Sequence, residues 1–142
     1  MQELDVNQTI LIVVGTDIMP EEADRPLAYK LKDAFESSPF FGKHPFRKCL
    51  VISDTLYRLD KIIRVCPTVA IGGPGVNFAT AELIEKLPVY LSQENKYYIQ
   101  LHKDFSDPKI SIWGMDRKAT EEAIDIFIAN GIQDDFLKAI WK

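Results

Sequence analysis

The sequence predicts a single α/β domain over residues 1–142: a three-layer, Rossmann-like or flavodoxin-like sheet, mostly parallel, with an antiparallel hairpin at one edge. Three observations predict it. Four short runs, Ile10 to Val14, Cys49 to Ser53, Val69 to Ile71 and Ile110 to Trp113, are apolar enough to be covered on both faces. Each ends in small or acidic residues: Gly15-Thr16-Asp17, Asp54-Thr55, Gly72 to Asn77, and Gly114-Met115-Asp116. Three of them then run into helical patterns, the succession expected of parallel strands joined by right-handed crossovers.

The first strand is the β-branched run Thr9 to Val14. After a loop through Pro20, Asp24 is a candidate helix cap, with Pro26 tolerated in the first turn. Leu27, Ala28, Leu31, Ala34 and Phe35 make one apolar stripe until Ser37-Ser38-Pro39 stops it. Phe40 to Lys48 is an irregular aromatic and basic loop leading into the second strand. Thr55 to Arg64 is ambiguous, with Leu56, Leu59 and Ile63 as one face of a short helix.

The third strand meets the turn Gly72-Gly-Pro-Gly75, and a helix is expected from Asn77 to Leu87, closed by Pro88. Val89 to Leu91 reads as a short strand. Tyr97 to His102 alternates, with Tyr97, Ile99 and Leu101 facing inward, and so reads as a half-exposed strand at or near an edge. The last long helix carries Ala123, Ile124, Phe127 and Ile128 and stops at Gly131. Gln133 to Trp141 adds a final short helix.

The composition, 46% hydrophobic and 27% charged, is that of a folded domain. A net charge of −4 argues against nonspecific binding to nucleic acid or anionic membranes. No apolar run approaches the roughly 20 residues of a membrane span. The acidic, polar start, Met1 to Gln8, is unlike a secretory signal, so the chain reads as cytoplasmic. Cys49 and Cys66 are too few for a zinc framework and read as buried thiols. No metal ligand set and no cofactor motif is assigned.

All four polar strand ends fall on the carboxyl edge of the sheet, where open α/β folds bind ligands. The candidate binding residues there are Thr16, Asp17, Asp54, Gly72, Gly73, Gly75, Val76, Asn77, Asp116 and Arg117. Glycines let a backbone approach a phosphate, and a helix start attracts anions. The expected anion donors are the N–H groups of Gly73, Gly75 and Val76, with Arg117 as counter-charge. The plainer reading is that the glycines only turn the chain and Asn77 only caps a helix. The string fits neither the dinucleotide fingerprint nor the phosphate loop.

Asp17, Asp54 and Asp116 at one edge suit an oxygen-ligated cation, but acids are also favoured wherever helices begin. No spacing among them supports a metal. His44 and His102 read as solvated, and Ser53 lacks the hydrolase elbow. The Phe40–Phe46 loop suits either a pocket lid or the core, and Trp141 either the core or a dimer contact.

Ile71-Gly-Gly-Pro-Gly-Val-Asn77, followed by Thr80, Glu82 and Leu83, resembles the Gly-Gly-Pro-x-x-Asn element of archaeal surface-layer proteins. Gly114-Met-Asp-Arg-Lys-Ala-Thr120, then Ala123, is similar to a later segment of that family. The resemblance covers about twenty residues, short motifs compatible with convergence on a strand–turn–helix unit. It implies a structural, self-associating module, and it implies that the two turns pair in space. The chain departs from the family in its polar start and its short length.

Three functions are therefore open. The first is binding of a small anionic or nucleotide-like ligand at the carboxyl edge. The second is a self-associating structural or regulatory module, a homo-oligomer without catalysis. The third is a nucleoside or phosphoester hydrolase using the edge aspartates; no catalytic residue is assigned.

Overall fold

Six strands form one mixed sheet in the order β2-β1-β3-β6-β5-β4, with helices against it. The computed structural model describes residues 5–15 and 18–141, and within the first helix it describes side chains from Asp24 onward. In chain order the elements are β1 (Thr9–Val14), α1 (Ile18–Ser37), β2 (Lys48–Ser53), α2 (Asp54–Leu59), β3 (Thr68–Ile71), α3 (Phe78–Leu83), β4 (Val89–Gln93), β5 (Tyr97–Leu101), β6 (Lys109–Gly114), α4 (Arg117–Ala129) and α5 (Ile132–Ile140). A short 3-10 turn, Ile63–Val65, lies between α2 and β3.

β2, β1, β3 and β6 are parallel, with Ile10 opposite Cys49, Ile12 opposite Val69, and Val69 opposite Ile110. The four expected strands are thus parallel neighbours, and their carboxyl ends share one edge. β5 runs antiparallel to β6 and β4 antiparallel to β5, which gives the expected hairpin at one side.

Strand side chains alternate between two cores. Ile10, Ile12, Val14, Val69, Ile71, Ile110 and Ile112 pack with Leu31 and Phe35 of α1, Phe127 of α4 and Phe136 of α5. Leu11, Val13 and Ala70 face the other way, toward Tyr57 of α2 and Ala79 and Leu83 of α3. Among the described residues no helix is long and apolar enough to cross a membrane.

Several local expectations are corrected. α1 begins at Ile18, so Asp24 lies inside the helix and is not its cap, and Pro26 is interior. An interior proline costs ~3 kcal/mol. Burial of Leu27, Leu31 and Phe35 offsets this, at roughly 1.5–3 kcal/mol each. α2 buries Tyr57 and leaves Leu56 and Leu59 exposed, the reverse of the expected face. β2 is an edge strand and mostly half-buried.

β5 is next to the edge, as expected, yet its polar side is not open. Gln100 is buried, donating to the Leu87 carbonyl at 3.1 Å and accepting from Trp113 Nε1 at 3.0 Å. Tyr98 stacks on Trp113 at 4.7 Å between ring centroids. α3 stops at Leu83, although hydrogen bonds continue the turn to Leu87.

Candidate functional site

The glycine turn leaves β3 at Gly72, whose φ of +107° is one that side-chain-bearing residues rarely adopt. A Cβ there would also lie 2.5 Å from Asp24 Oδ2, so the missing side chain makes room for the carboxyl of α1. Gly73 and Gly75 lie under no such constraint: a Cβ on Gly73 would meet Trp113 at an ordinary 3.8 Å, and one on Gly75 would meet nothing.

Asn77 is buried and its side chain is fully engaged. Nδ2 donates to the carbonyls of Val13 and Ile71, each at 2.9 Å, fastening the ends of β1 and β3 together. Oδ1 accepts from Ala79 N–H at 2.9 Å and Thr80 N–H at 3.4 Å. Asp54 Oδ2 takes Phe78 N–H at 2.8 Å, and the Gly73 carbonyl takes the N–H groups of Val76 and Asn77. The first turn of α3 therefore has its donors satisfied from within the protein. Of the three N–H groups expected to hold an anion beside that helix start, that of Val76 is spent on the Gly73 carbonyl, while those of Gly73 and Gly75 have no partner among the described residues.

The start of α4 is different. Asp116 caps it by accepting Ala119 N–H at 2.8 Å. Gly114 sits so close to this turn that a Cβ would lie 2.5 Å from Thr120 N. Thr120 Oγ1 accepts Gly114 N–H and donates to the Asp116 carbonyl, both at 3.0 Å. The N–H groups of Arg117 and Lys118 have no partner among the described residues, as is usual for the first helical positions.

β3 and β6 are neighbours, so the two turns face each other across one cavity of about 320 Å³. Gly72, Gly73, Gly75 and Val76 form one wall; Gly114, Met115, Asp116, Arg117 and Thr120 form the other. Asp24 closes it from α1. Asp24 is only 6% exposed and has no hydrogen-bond or ion-pair partner among the described residues. Burial pushes its carboxyl up to about 6, while the Arg117 guanidinium pulls it the other way. Arg117 is exposed and makes no ion pair among the described residues.

The sequence matches no known protein-family model and no curated protein.

Of the residues expected to bind, Gly72, Gly73, Gly75, Val76, Asp116 and Arg117 meet in the cavity. Asp54 and Asn77 lie outside its lining and hold helix starts. Thr16 and Asp17 lie outside the described residues. Asp24, Gly114, Met115 and Thr120 join the wall without having been expected. Asp24 was legible only as a helix cap, because nothing in its neighbourhood signals that the helix starts earlier. Gly114 and Thr120 stand at the end of β6, whose neighbour in the sheet is β3.

Other candidates are elsewhere. Ser53 caps α2 by accepting Leu56 N–H at 3.2 Å. His44 is exposed, and its Nδ1 accepts Phe46 N–H at 3.2 Å. Cys49 and Cys66 are buried free thiols, and burial pushes Cys49 up to about 12. Among the described residues no three metal-ligating side chains cluster. Of the Phe40–Phe46 loop, Phe41 is core, edge-on to Trp141 at 5.1 Å, while Phe46 is 64% exposed. Trp141 is also core, with Nε1 donating to the Asn7 carbonyl at 2.8 Å.

Proposed function

We propose that this domain binds a small anionic or nucleotide-like ligand in the cavity between the ends of β3 and β6. The observation that carries this reading is the convergence of three features on one cavity: the close-approach turn at Gly72, the start of α4 with Arg117, and the buried Asp24, which has no hydrogen-bond partner among the described residues. The anionic end of the ligand rests on Arg117 and the N–H groups of Arg117 and Lys118, since those donors are unspent and the helix dipole favours negative charge there. The cavity volume, near the lower end of the roughly 300–1,000 Å³ usual for small-molecule sites, favours a compact molecule. The order of the four parallel strands, β2-β1-β3-β6, supports a flavodoxin-like reading of the sheet over a Rossmann one.

The test is a titration with phosphate, sulfate and mononucleotides followed by amide chemical shifts. Binding should move Arg117, Lys118, Gly73 and Gly75 and leave Ala79 and Thr80 of α3 unmoved. Shifts absent from α4 at millimolar ligand would remove the reading.

Self-association is the second reading, and one observation favours it. Leu59 and Ile62 are 74% and 73% exposed, with Leu56 and Val65 also exposed beside them in sequence. Light scattering across a concentration series, with Leu59→Ser as the variant, tests it. Among the described residues no observation favours a hydrolase: Asp54 and Asp116 are each engaged at a helix start.

A further inference from the structure

The charges around the cavity restrict what kind of anion fits. Its lining carries two carboxyls, Asp24 and Asp116, and one guanidinium, Arg117. One Asp116 oxygen is committed to capping α4. Asp24 is committed to nothing: it is buried against the glycine turn with no partner among the described residues, and Gly72 lacks the side chain that would displace it. A buried carboxylate without a partner is costly, and the cost is recovered when a donor reaches it. A bare anion brings no donor and adds negative charge beside Asp24. We infer that the ligand is a small anion that carries its own hydrogen-bond donor, a hydroxyl or an ammonium, with the anionic group on Arg117 and the donor on Asp24. This rests on the binding reading above and deepens it: Arg117 supplies affinity for the anion, and Asp24 selects among anions.

The two ends of the site are built for this division. Arg117 is exposed at the first position of α4, where a phosphate can approach from solvent. Asp24 is only 6% exposed, so a donor that reaches it is discriminated more strongly than at the surface. A molecule that places its donor a few bonds from its anionic group spans both.

The experiment uses the whole chain at pH 7.5 and three phosphate monoesters: methyl phosphate, glycerol 3-phosphate and phosphoethanolamine. Amide shifts at Arg117 and Lys118 report occupancy, and titration gives each affinity. At least one donor-bearing ester should bind about tenfold tighter than methyl phosphate, and which one does so identifies the donor as hydroxyl or ammonium. Asp24→Asn should bring the preference below about threefold. Asp24→Ser, with a thermal melt of each variant, guards against loss of fold. Equal affinity for all three esters in the native chain, or a preference kept in both variants, overturns the inference while leaving the binding reading intact. No shift at Arg117 and Lys118 with any ester removes the binding reading itself, and the inference with it.

Discussion

Gly114 and Thr120 hold the end of β6 against the first turn of α4. The Thr120 hydroxyl accepts Gly114 N–H at 3.0 Å, and a Cβ on Gly114 would lie 2.5 Å from Thr120 N. The obstructing atoms are backbone, so they cannot swing aside. Gly114→Ala should destabilise the domain by about 1–3 kcal/mol, through forced separation of β6 and α4. Thr120→Val keeps the shape and removes the acceptor, and should cost about 1–3 kcal/mol. Urea denaturation of both variants checks this.

The glycines of the β3 turn are unequal. Gly72→Ala meets a φ of +107° and the Asp24 carboxyl together, and should cost of order 1–3 kcal/mol. Gly75→Ala enters open space at an ordinary φ. It should be neutral, or stabilising by about 0.4–1 kcal/mol through a less flexible unfolded chain. Thermal melts of the pair separate a constrained glycine from a permissive one.

Asp24 gives stability a pH dependence of definite sign. Its folded value, about 6, lies above its ordinary 3.8, so the native state favours the protonated form. The contribution is full below 3.8 and is lost as pH rises through about 6. Asp24→Asn removes the titration. It should raise the melting temperature more at pH 7.5 than at pH 4, by the equivalent of about 1–2 kcal/mol once solvent screening at the cavity mouth is allowed for. Equal shifts at the two pH values would show that Asp24 is not held in a desolvated site.

The aromatic loop divides between core and surface. Phe41 packs edge-on to Trp141, and the Arg47 guanidinium lies 4.5 Å from the centroid of the same Trp141 ring. Phe41→Ala should cost about 3–5 kcal/mol. Phe46, 64% exposed, should tolerate replacement by serine within about 0.5 kcal/mol. Chemical denaturation of the two single variants is the check.

The parallel strands were legible because burial on both faces leaves uninterrupted runs such as Ile10 to Val14, which few other structures require. The glycine turn was legible as a turn. Its division of labour was not, because Gly72, Gly73 and Gly75 are identical in sequence and differ only in backbone angle and neighbours. The side of α2 that packs inward was missed because Leu56, Leu59 and Ile63 are the more apolar set, yet Tyr57 is the residue the fold covers. Asp24 was hidden for a similar reason. A carboxylate in a helix ordinarily faces water, and only the packing that sets the Asp24 carboxyl of α1 beside Gly72 at the end of β3 turns this one toward the cavity. Asn77 looked like a ligand donor and a cap at once; its bonds to Val13 and Ile71 come from strands that are adjacent only after folding.

Arg117 is where binding is most directly put to the test. Calorimetric titration of the native chain and of Arg117→Ala with the best-binding phosphate ester should show affinity falling at least about tenfold, with a cooperative thermal melt retained in the absence of ligand. Lys86→Ala, which removes an exposed charge that pairs with Glu82 away from the cavity, should bind as the native chain does. Equal affinity in the native chain and Arg117→Ala, or a loss as large in Lys86→Ala, would contradict a site between the ends of β3 and β6.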